Sequence, residues 1–311
     1  METLPTSAIS YLPTKDTENM LGIKLDVRTE TAPLEAVVVG LAIDEGTAHL
    51  QNNPKMIEHV EKGTYPGESV LVGQVGNLVR AMQKEGVIVY RPTNVKEVNQ
   101  IFTRDIGFVV DDTFVVANMK RDNRKPEFDG IQHILDLVKP EKVIRATGEA
   151  TFEGGDILVH NEHIFVGISK RTNWAGYEFL KESFPNKQVH ALEVLVTEDS
   201  NTNILHLDCT FQPVGEKYAI FYEEGFMNKP QIIYDVFGEE NLIKVTKEEM
   251  YKMYPNVFSL SPTKVISEKG FTRLNDELRK KGIEVIEVEY AEVSKLSGLF
   301  RCSTLPLRRK Y

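Results

Sequence analysis

Cysteine is nearly absent from this chain: 311 residues hold only Cys209 and Cys302. Two thiols cannot frame a disulfide-stapled fold of this length, so the sequence reads as a protein of a reducing, cytoplasmic compartment. No run of about 18 apolar residues occurs, which argues against a transmembrane helix and a membrane partner. The opening METLPTSAISYLPTKDTENM has neither a basic start nor an apolar stretch, so it is not a secretory signal. Basic residues are in deficit, 37 against 46 acidic ones, for a net charge of −9. That balance argues against nucleic acid and suits a small cationic substrate. Cys and His never take the spacing of a zinc ligand set, so no metal and no organic cofactor is expected.

What is present is a soluble-enzyme composition, 41% hydrophobic and 27% charged, arranged in a repeating order. A β-rich run, a turn, a second β-rich run, an amphipathic helix and a further strand follow one another. LEAVVVGLAI opens the first unit, which continues through NLVRAMQKEG to VIVYRP. DIGFVVDDTFVVANM is a hairpin turning at DD, followed by helical FDGIQHILDLV and the strand KVIRA. GGDILVHNEHIFVGI turns at HNE and leads to AGYEFLKESF and QVHALEV. NILHLDCTFQPVGEKYAIFY turns at GEK and leads to IIYDVFG and NLIKVT. NVFSLSPTKVISE turns at SPT and leads to FTRLNDELRKKG and IEVIEVEY. Five strand–strand–helix–strand units of roughly 50–60 residues predict a closed, pseudo-symmetric α/β arrangement. No linker divides the chain, so one catalytic domain over 1–311 is expected, with 1–21 as an N-terminal arm. Residues 44–69, DEGTAHLQNNPKMIEHVEKGTYPGES, form a long excursion of the kind that makes lids.

Four polar clusters stand at the edges of the apolar hairpins. NQIFTRDIGFVV places Arg104 and Asp105 before a buried-looking strand. FEGGDILV sets Glu153 and Asp156 around a glycine pair. LHLDCTF alternates His206 and Asp208 with apolar residues, and FRCSTL carries Cys302. Singly, each has a plain alternative: a buried thiol, a core histidine, a structural ion pair, a turn. Together they supply a Cys–His–carboxylate set whose equivalent ends converge on one axis. A thiol of ordinary pKa near 8.5 needs a base or a positive neighbour. Extra aspartates discourage a thiolate unless the substrate is itself a cation. A planar guanidinium held by two carboxylates resolves that conflict and presents its central carbon to sulfur. Acyl transfer would call for oxyanion donors instead.

NQIFTRD, FEGGDILV, HLDCTF and the late cysteine, in this order over residues 33 to 308, resemble the guanidino-group-modifying superfamily. It comprises arginine deiminases, dimethylarginine dimethylaminohydrolases and amidinotransferases, which share the five-bladed α/β propeller called the pentein fold. EGGDILVHNEHIFVGISKRTNWAGYEFL and GLFRCSTLPLRRK are most similar to the dimethylarginine hydrolases; NQIFTRD and HLD are more like arginine deiminase. RCSTLPLRR also resembles the amidinotransferases. Their Gly-rich approach to the cysteine is reduced here to SGLF, and their usual short acidic segment in place of EGGD is absent.

The resemblance implies that Cys302 is the nucleophile, His206 the general acid and base, and Glu153 its orienting carboxylate. It implies that Asp105 and Asp208 grip the guanidinium and that Arg171 binds the substrate α-carboxylate. Asn99 matches a position near the amino-acid head group. Arg121 or Arg124, in KRDNRK, adds a second carboxylate contact. Asp156 is read as holding the turn, and Cys209, one residue along a strand from Asp208, as packing on the opposite face. The activity implied is a cysteine-dependent hydrolase giving a ureido product such as citrulline. Two Asp-held terminal nitrogens disfavour methyl groups there, so arginine is preferred over dimethylarginine. The competing readings are an amidinotransferase, a non-catalytic pentein binding module and a cysteine protease of another fold. A homodimer is an allowed assembly.

Overall fold

The hairpins form because their turns tolerate a left-handed residue. In the computed structural model, which describes residues 22–47 and 49–311, Asp111 (φ 51°) and Asn161 (φ 55°) occupy such positions. Asp and Asn are the side chains that pay least for them. The arm expected over 1–21 lies outside the described residues.

The first sheet is built from β1 (Leu34–Val39) and β2 (Ile88–Tyr90), parallel to each other. Between them run α1 (Pro54–Glu61) and α2 (Glu68–Lys84). Leu71, Val75, Leu78 and Met82 recur at helical spacing along α2 and are buried, the pattern of a helix with one core-facing stripe.

The next four sheets repeat one plan. A two-stranded antiparallel hairpin is extended by a parallel third strand that arrives after a helical crossover. They are β3 (Gly107–Val110), β4 (Thr113–Val116) and β5 (Val143–Arg145); then β6 (Ile157–His160), β7 (His163–Ile168) and β8 (Gln188–Glu193). They continue with β9 (Phe211–Val214), β10 (Tyr218–Phe221) and β11 (Leu242–Lys244), and with β12 (Phe258–Ser261), β13 (Lys264–Glu268) and β14 (Glu284–Val288). The crossovers carry α3 (Gln132–Leu135), α4 (Trp174–Ser183), α5 (Gln231–Phe237) and α7 (Thr272–Lys280), while α6 (Lys247–Tyr251) links the sheet ending at β11 to the one starting at β12. The hairpin strands are buried almost throughout, which is why they read as continuous apolar runs rather than alternating ones.

β15 (Thr304–Arg309) supplies the strand that the first sheet lacks. It pairs antiparallel with β1, Leu34 opposite Arg309 and Val39 opposite Thr304. Five three-stranded sheets therefore account for all the named strands among the described residues, and the first joins the two ends of the described chain.

Two expectations shift. The helix read over FDGIQHILDLV is broken up: its start is the end of a 3-10 segment, Asp122–Ile131, and only the single turn α3 that follows is α-helical. Pro126 lies inside the 3-10 segment, and Gly130 packs so closely that an added Cβ would strike the Gln100 amide. LHLDC is not strand: Leu207–Cys209 is a 3-10 turn entered from an extended His206. The Asp156 carboxylate accepts from Leu207 N at 2.9 Å, so this stretch finds its partners across the fold rather than in a ladder.

Candidate active site

The FEGGDILV turn explains its own glycines. An added Cβ on Gly154 would strike the Arg104 carbonyl, and one on Gly155 would lie 2.6 Å from His206 Nδ1 and 2.8 Å from Asp105 Oδ1. Only glycine lets the histidine and the aspartate close on this turn. Asp156 holds the arrangement from within, accepting from Ser169 and Thr172 hydroxyls (both 2.7 Å) as well as from Leu207 N. That is the structural part read for it from sequence.

Glu153, fully buried, places Oε2 2.9 Å from His206 Nε2. On the other edge of the ring, His206 Nδ1 stands 3.7 Å from Asp105 Oδ1. Burial disfavours the imidazolium, but Asp105, Asp156 and Glu153 together outweigh it and raise His206 to about 9. The ring is thus charged at neutral pH and equipped to give up a proton. For Glu153 burial works upward, yet Arg124 and Arg171 overcome it and hold the carboxyl below its ordinary range.

Arg124 is fixed by a fork onto Glu127, Nε to Oε1 at 2.7 Å and Nη2 to Oε2 at 2.9 Å. Its remaining nitrogen, Nη1, bridges Asp105 Oδ2 (3.0 Å) and Glu153 Oε2 (2.9 Å). Arg301 does the same for the other aspartate, its Nη1 2.8 Å from Asp208 Oδ2 and its Nη2 2.9 Å from Glu30 Oε1. The carboxylates are therefore partly neutralised by internal guanidinium groups before any substrate arrives, a point that composition alone did not reveal. Each aspartate has one oxygen anchored this way. Among the described residues, Asp105 Oδ1 is left buried without a hydrogen-bond partner, and Asp208 Oδ1 faces the Cys209 and Cys302 sulfurs at 3.7 and 3.8 Å.

Cys302 lies two residues before β15 and is 2% exposed. Its Sγ is 3.5 Å from Asp208 Oδ2 and accepts from Asn256 Nδ2 at 3.2 Å. Burial, followed by the charges of Asp208 and Asp105, pushes the thiol well above its ordinary value. Asn256 was not singled out from sequence, although it stands before β12 as Asp105 stands before β3. Its Oδ1 accepts from Leu299 N and Cys302 N, both at 3.1 Å, and its Nδ2 also donates to the Asp208 carbonyl at 3.2 Å. A fully buried amide with four local partners positions the whole Cys302 turn.

Asp105 and Cys302 line one narrow cavity of about 20 Å³ with His49, Asn52, Asn53, Met56, Asn99 and Arg124. The 44–69 excursion is its roof. Asn53 caps α1 through Met56 N at 2.8 Å, with Pro54 beginning the helix, and Ser297 Oγ ties the same Asn53 oxygen to the Cys302 side at 2.8 Å. Outside lies a larger chamber of about 400 Å³, which shares Asn52, Asn53, Arg171 and Leu205 with the cavity. Arg171 stands at the junction, its Nη1 3.1 Å from Glu153 Oε1 and its Nη2 2.9 Å from the Asn52 carbonyl. Arg121 reaches only the outer chamber, so of the two KRDNRK arginines it is Arg124 that enters the site. Cys209 lies off it, facing a small cavity with Lys55 and Tyr251.

Asp105, Glu153 and His206 each offer one atom within 4.8 Å of the others, a spacing that a metal could use. Both Glu153 oxygens and one Asp105 oxygen are already held by guanidinium groups. A resident cation would have to displace them, so this donor set does not fit one.

A thiol, an imidazolium clamped between carboxylates and two half-free aspartates, set among five small sheets, define the guanidino-group-modifying pentein class. Comparison with known proteins agrees. Residues 47–309 match the family model described as N,N dimethylarginine dimethylhydrolase, eukaryotic, and the chain belongs to that family. Arginine deiminase of Listeria monocytogenes is 30% identical over 68% of this chain, which spans 62% of the deiminase. The N(G),N(G)-dimethylarginine dimethylaminohydrolase of Pseudomonas aeruginosa is 25% identical over 73% of this chain and 84% of its own length. Among solved structures, SxtG, an amidinotransferase of the saxitoxin biosynthetic pathway from Microseira wollei, superposes with a TM-score of 0.77. It is 20% identical and covers 92% of this chain and 98% of its own. Among the described residues no helix is long and apolar enough to cross a membrane.

Proposed function

We propose that this protein is a cysteine-dependent hydrolase of the guanidino group of arginine or an arginine-like compound, built as one five-bladed α/β propeller. The observation that carries the reading is Asp105 Oδ1, buried and unpartnered in the cavity that Cys302 also lines. A substrate N–H donated there removes an uncompensated acceptor from the interior. Asp208, beside the sulfur, takes the second terminal nitrogen.

With the cation bound, the field that suppresses the thiolate is cancelled. Cys302 then gives up its proton to solvent, its thiolate attacks the guanidinium carbon, and His206 protonates the departing nitrogen, which leaves as ammonia. The covalent amidino-thioether is then hydrolysed: His206, now neutral, takes a proton from water as its oxygen adds to the same carbon. Collapse breaks the C–S bond, the hydroxyl proton of the adduct passes to sulfur to restore the thiol, and a ureido product is released, citrulline from arginine. Arg171 at the cavity mouth and Arg121 in the outer chamber suit the carboxylate end, with Asn99 beside the head group.

The decisive assay supplies purified protein with arginine and measures ammonia and citrulline. If neither forms while methylarginines are consumed, the reading falls. The outer chamber gives one reason to retain amidino transfer as second choice, since it has room for an acceptor amine next to the covalent intermediate. Ornithine produced only when glycine or lysine is added would favour transfer.

A further inference from the structure

Arg301 ties the active site to a second buried cluster of charges. Its Nη1 holds Asp208 beside Cys302, while Nε and Nη2 reach the Glu30 carboxylate at 3.4 and 2.9 Å. Two more arginines gather around the same glutamate. Arg104 Nη2 stands 3.7 Å from Glu30 Oε2, and the charge of Arg309 also acts on that carboxyl. Distant parts of the chain meet here. Glu30 precedes β1 and donates its backbone N–H to the Val159 carbonyl at 3.0 Å. Arg309 ends β15 opposite Leu34, and Arg104 donates its backbone N–H to the Cys302 carbonyl at 3.0 Å. None of the five side chains, Glu30, Arg104, Asp208, Arg301 and Arg309, is more than 3% exposed.

The charges of this cluster do not balance. Three guanidinium groups face two carboxylates, a surplus of one positive charge. The other acids of the site, Asp105, Glu127 and Glu153, have cations of their own in Arg124, Arg171 and His206. Burial lowers Arg104 to about 9 and Arg309 to about 10, and the Arg301 charge adds to both. Both nevertheless keep their protons at neutral pH, so the surplus stays. The donors do not balance either. Among the described residues, Arg104 Nε and Nη2 and Arg309 Nε and Nη2 are buried without a hydrogen-bond partner, while Arg309 Nη1 is met by the Ala32 carbonyl. Buried charges are ordinarily paired and buried N–H groups ordinarily bonded. Water would accept from the N–H groups and leave the charge; an anion answers both. Arg104, Arg301 and Arg309 line neither the cavity of Cys302 nor the outer chamber, so this ligand is not the substrate, and a place enclosed by buried side chains suits a monatomic ion.

We propose that Arg104 and Arg309 bind a small inorganic anion of the size of chloride on the Glu30 side of Arg301. The ion completes the pairing of these two arginines, so that Glu30 is left to Arg301 and Arg301 keeps its hold on Asp208. The site takes no part in the reaction proposed above and does not depend on it.

The test follows equilibrium urea unfolding while sodium chloride replaces sodium gluconate at constant ionic strength and neutral pH. An ion that binds only the folded chain is expected to raise the folding constant about tenfold for each tenfold rise in chloride above its Kd. Arg309→Met keeps the aliphatic stem, removes the surplus charge and is expected to abolish the chloride dependence. Crystals grown with sodium bromide locate the ion, with an anomalous peak expected between the Arg104 and Arg309 guanidinium groups. Equal stability in gluconate and chloride, or the same chloride slope in Arg309→Met, overturns the assignment. So does a bromide map with only water between the two groups. A bromide peak without any chloride dependence of wild-type stability marks an adventitious ion only and overturns it as well. If Arg309→Met does not fold, the wild-type titration and the bromide map decide on their own.

Discussion

Replacing Asn256 with alanine tests the idea that one buried amide sets the nucleophile. The substitution strands the backbone N–H groups of Leu299 and Cys302, which Asn256 Oδ1 accepts at 3.1 Å each. A buried donor left unpaired costs about 1–3 kcal/mol, so two cost about 4 kcal/mol. At about 2 °C per kcal/mol for a chain of this size, Tm falls by roughly 8 °C. The Cys302 turn also loses its anchor, and misplacement of a reacting atom by about 1 Å lowers the rate on the order of 100-fold. Asn256→Asp separates the two roles. Aspartate still accepts from both N–H groups, so the Tm loss is smaller than in the alanine variant. It cannot donate to Sγ, and it brings a negative charge beside Asp208, so the thiol is held still more firmly protonated. Differential scanning fluorimetry reads the first effect, and iodoacetamide labelling of Cys302 at fixed pH, followed by mass spectrometry, reads the second. Wild-type turnover in N256A, or an N256D protein that alkylates as fast as wild type, refutes the reasoning.

Cys302→Ser is expected to abolish turnover while moving Tm by no more than about 2 °C, because the serine hydroxyl keeps the Asn256 contact; residual turnover near wild type would exclude Cys302 as nucleophile. His206 is raised to about 9 in the folded chain against about 6.5 unfolded, so its contribution of about 3 kcal/mol is complete below pH 6.5 and vanishes as pH rises through 9. Turnover is expected to fall over the same upper limb, and urea titrations across pH 6–10 in wild type and H206Q check the stability part. Glu30 moves the opposite way. Burial is outweighed by Arg301 and Arg104, which lower it to about 2, so its stabilisation is present above pH 4.5 and disappears as pH falls to 2. Glu30→Gln removes that acid limb from the stability profile and costs about 3 kcal/mol at pH 7.

The repeating plan was readable because it is written locally. Hairpins need short apolar strands around a residue that tolerates positive φ, and Asp111, Asn161 and Gly215 supply it where the turns were placed. The third strand of each sheet was readable too, since a helix of one period and a strand of another stand side by side in sequence. What failed was conformation set from outside. LHLDC alternates like a strand, yet Leu207 N bonds to Asp156, 51 positions away, and a 3-10 turn results. The same limit applied to the site. Asp105, Glu153, His206, Asp208 and Cys302 stood out as polar residues at apolar strand edges, and the fold brings them together. Asn256 did not stand out, because its meaning depends on partners far along the chain, and Arg124 was readable only as one of two KRDNRK arginines for a substrate carboxylate. Arg124 sits in a charged stretch with no apolar frame, and only the fold aims it at Asp105 and Glu153. For Asn256 a cue was available: it precedes β12 as the other polar residues precede their hairpins, and it should have been read as the fifth member of that set.

The pairing of β15 with β1 has a consequence for biosynthesis. Every other site residue named above precedes Cys302 in the chain, so a nascent polypeptide collects its acids, its histidine and its internal arginines before it has this thiol. The strand behind the thiol is held by its antiparallel pairing with β1, the earliest strand among the described residues. On the proposed mechanism, a chain made only as far as β14 lacks its attacking group, and the pairing that closes the first sheet is also the one that holds that group in place.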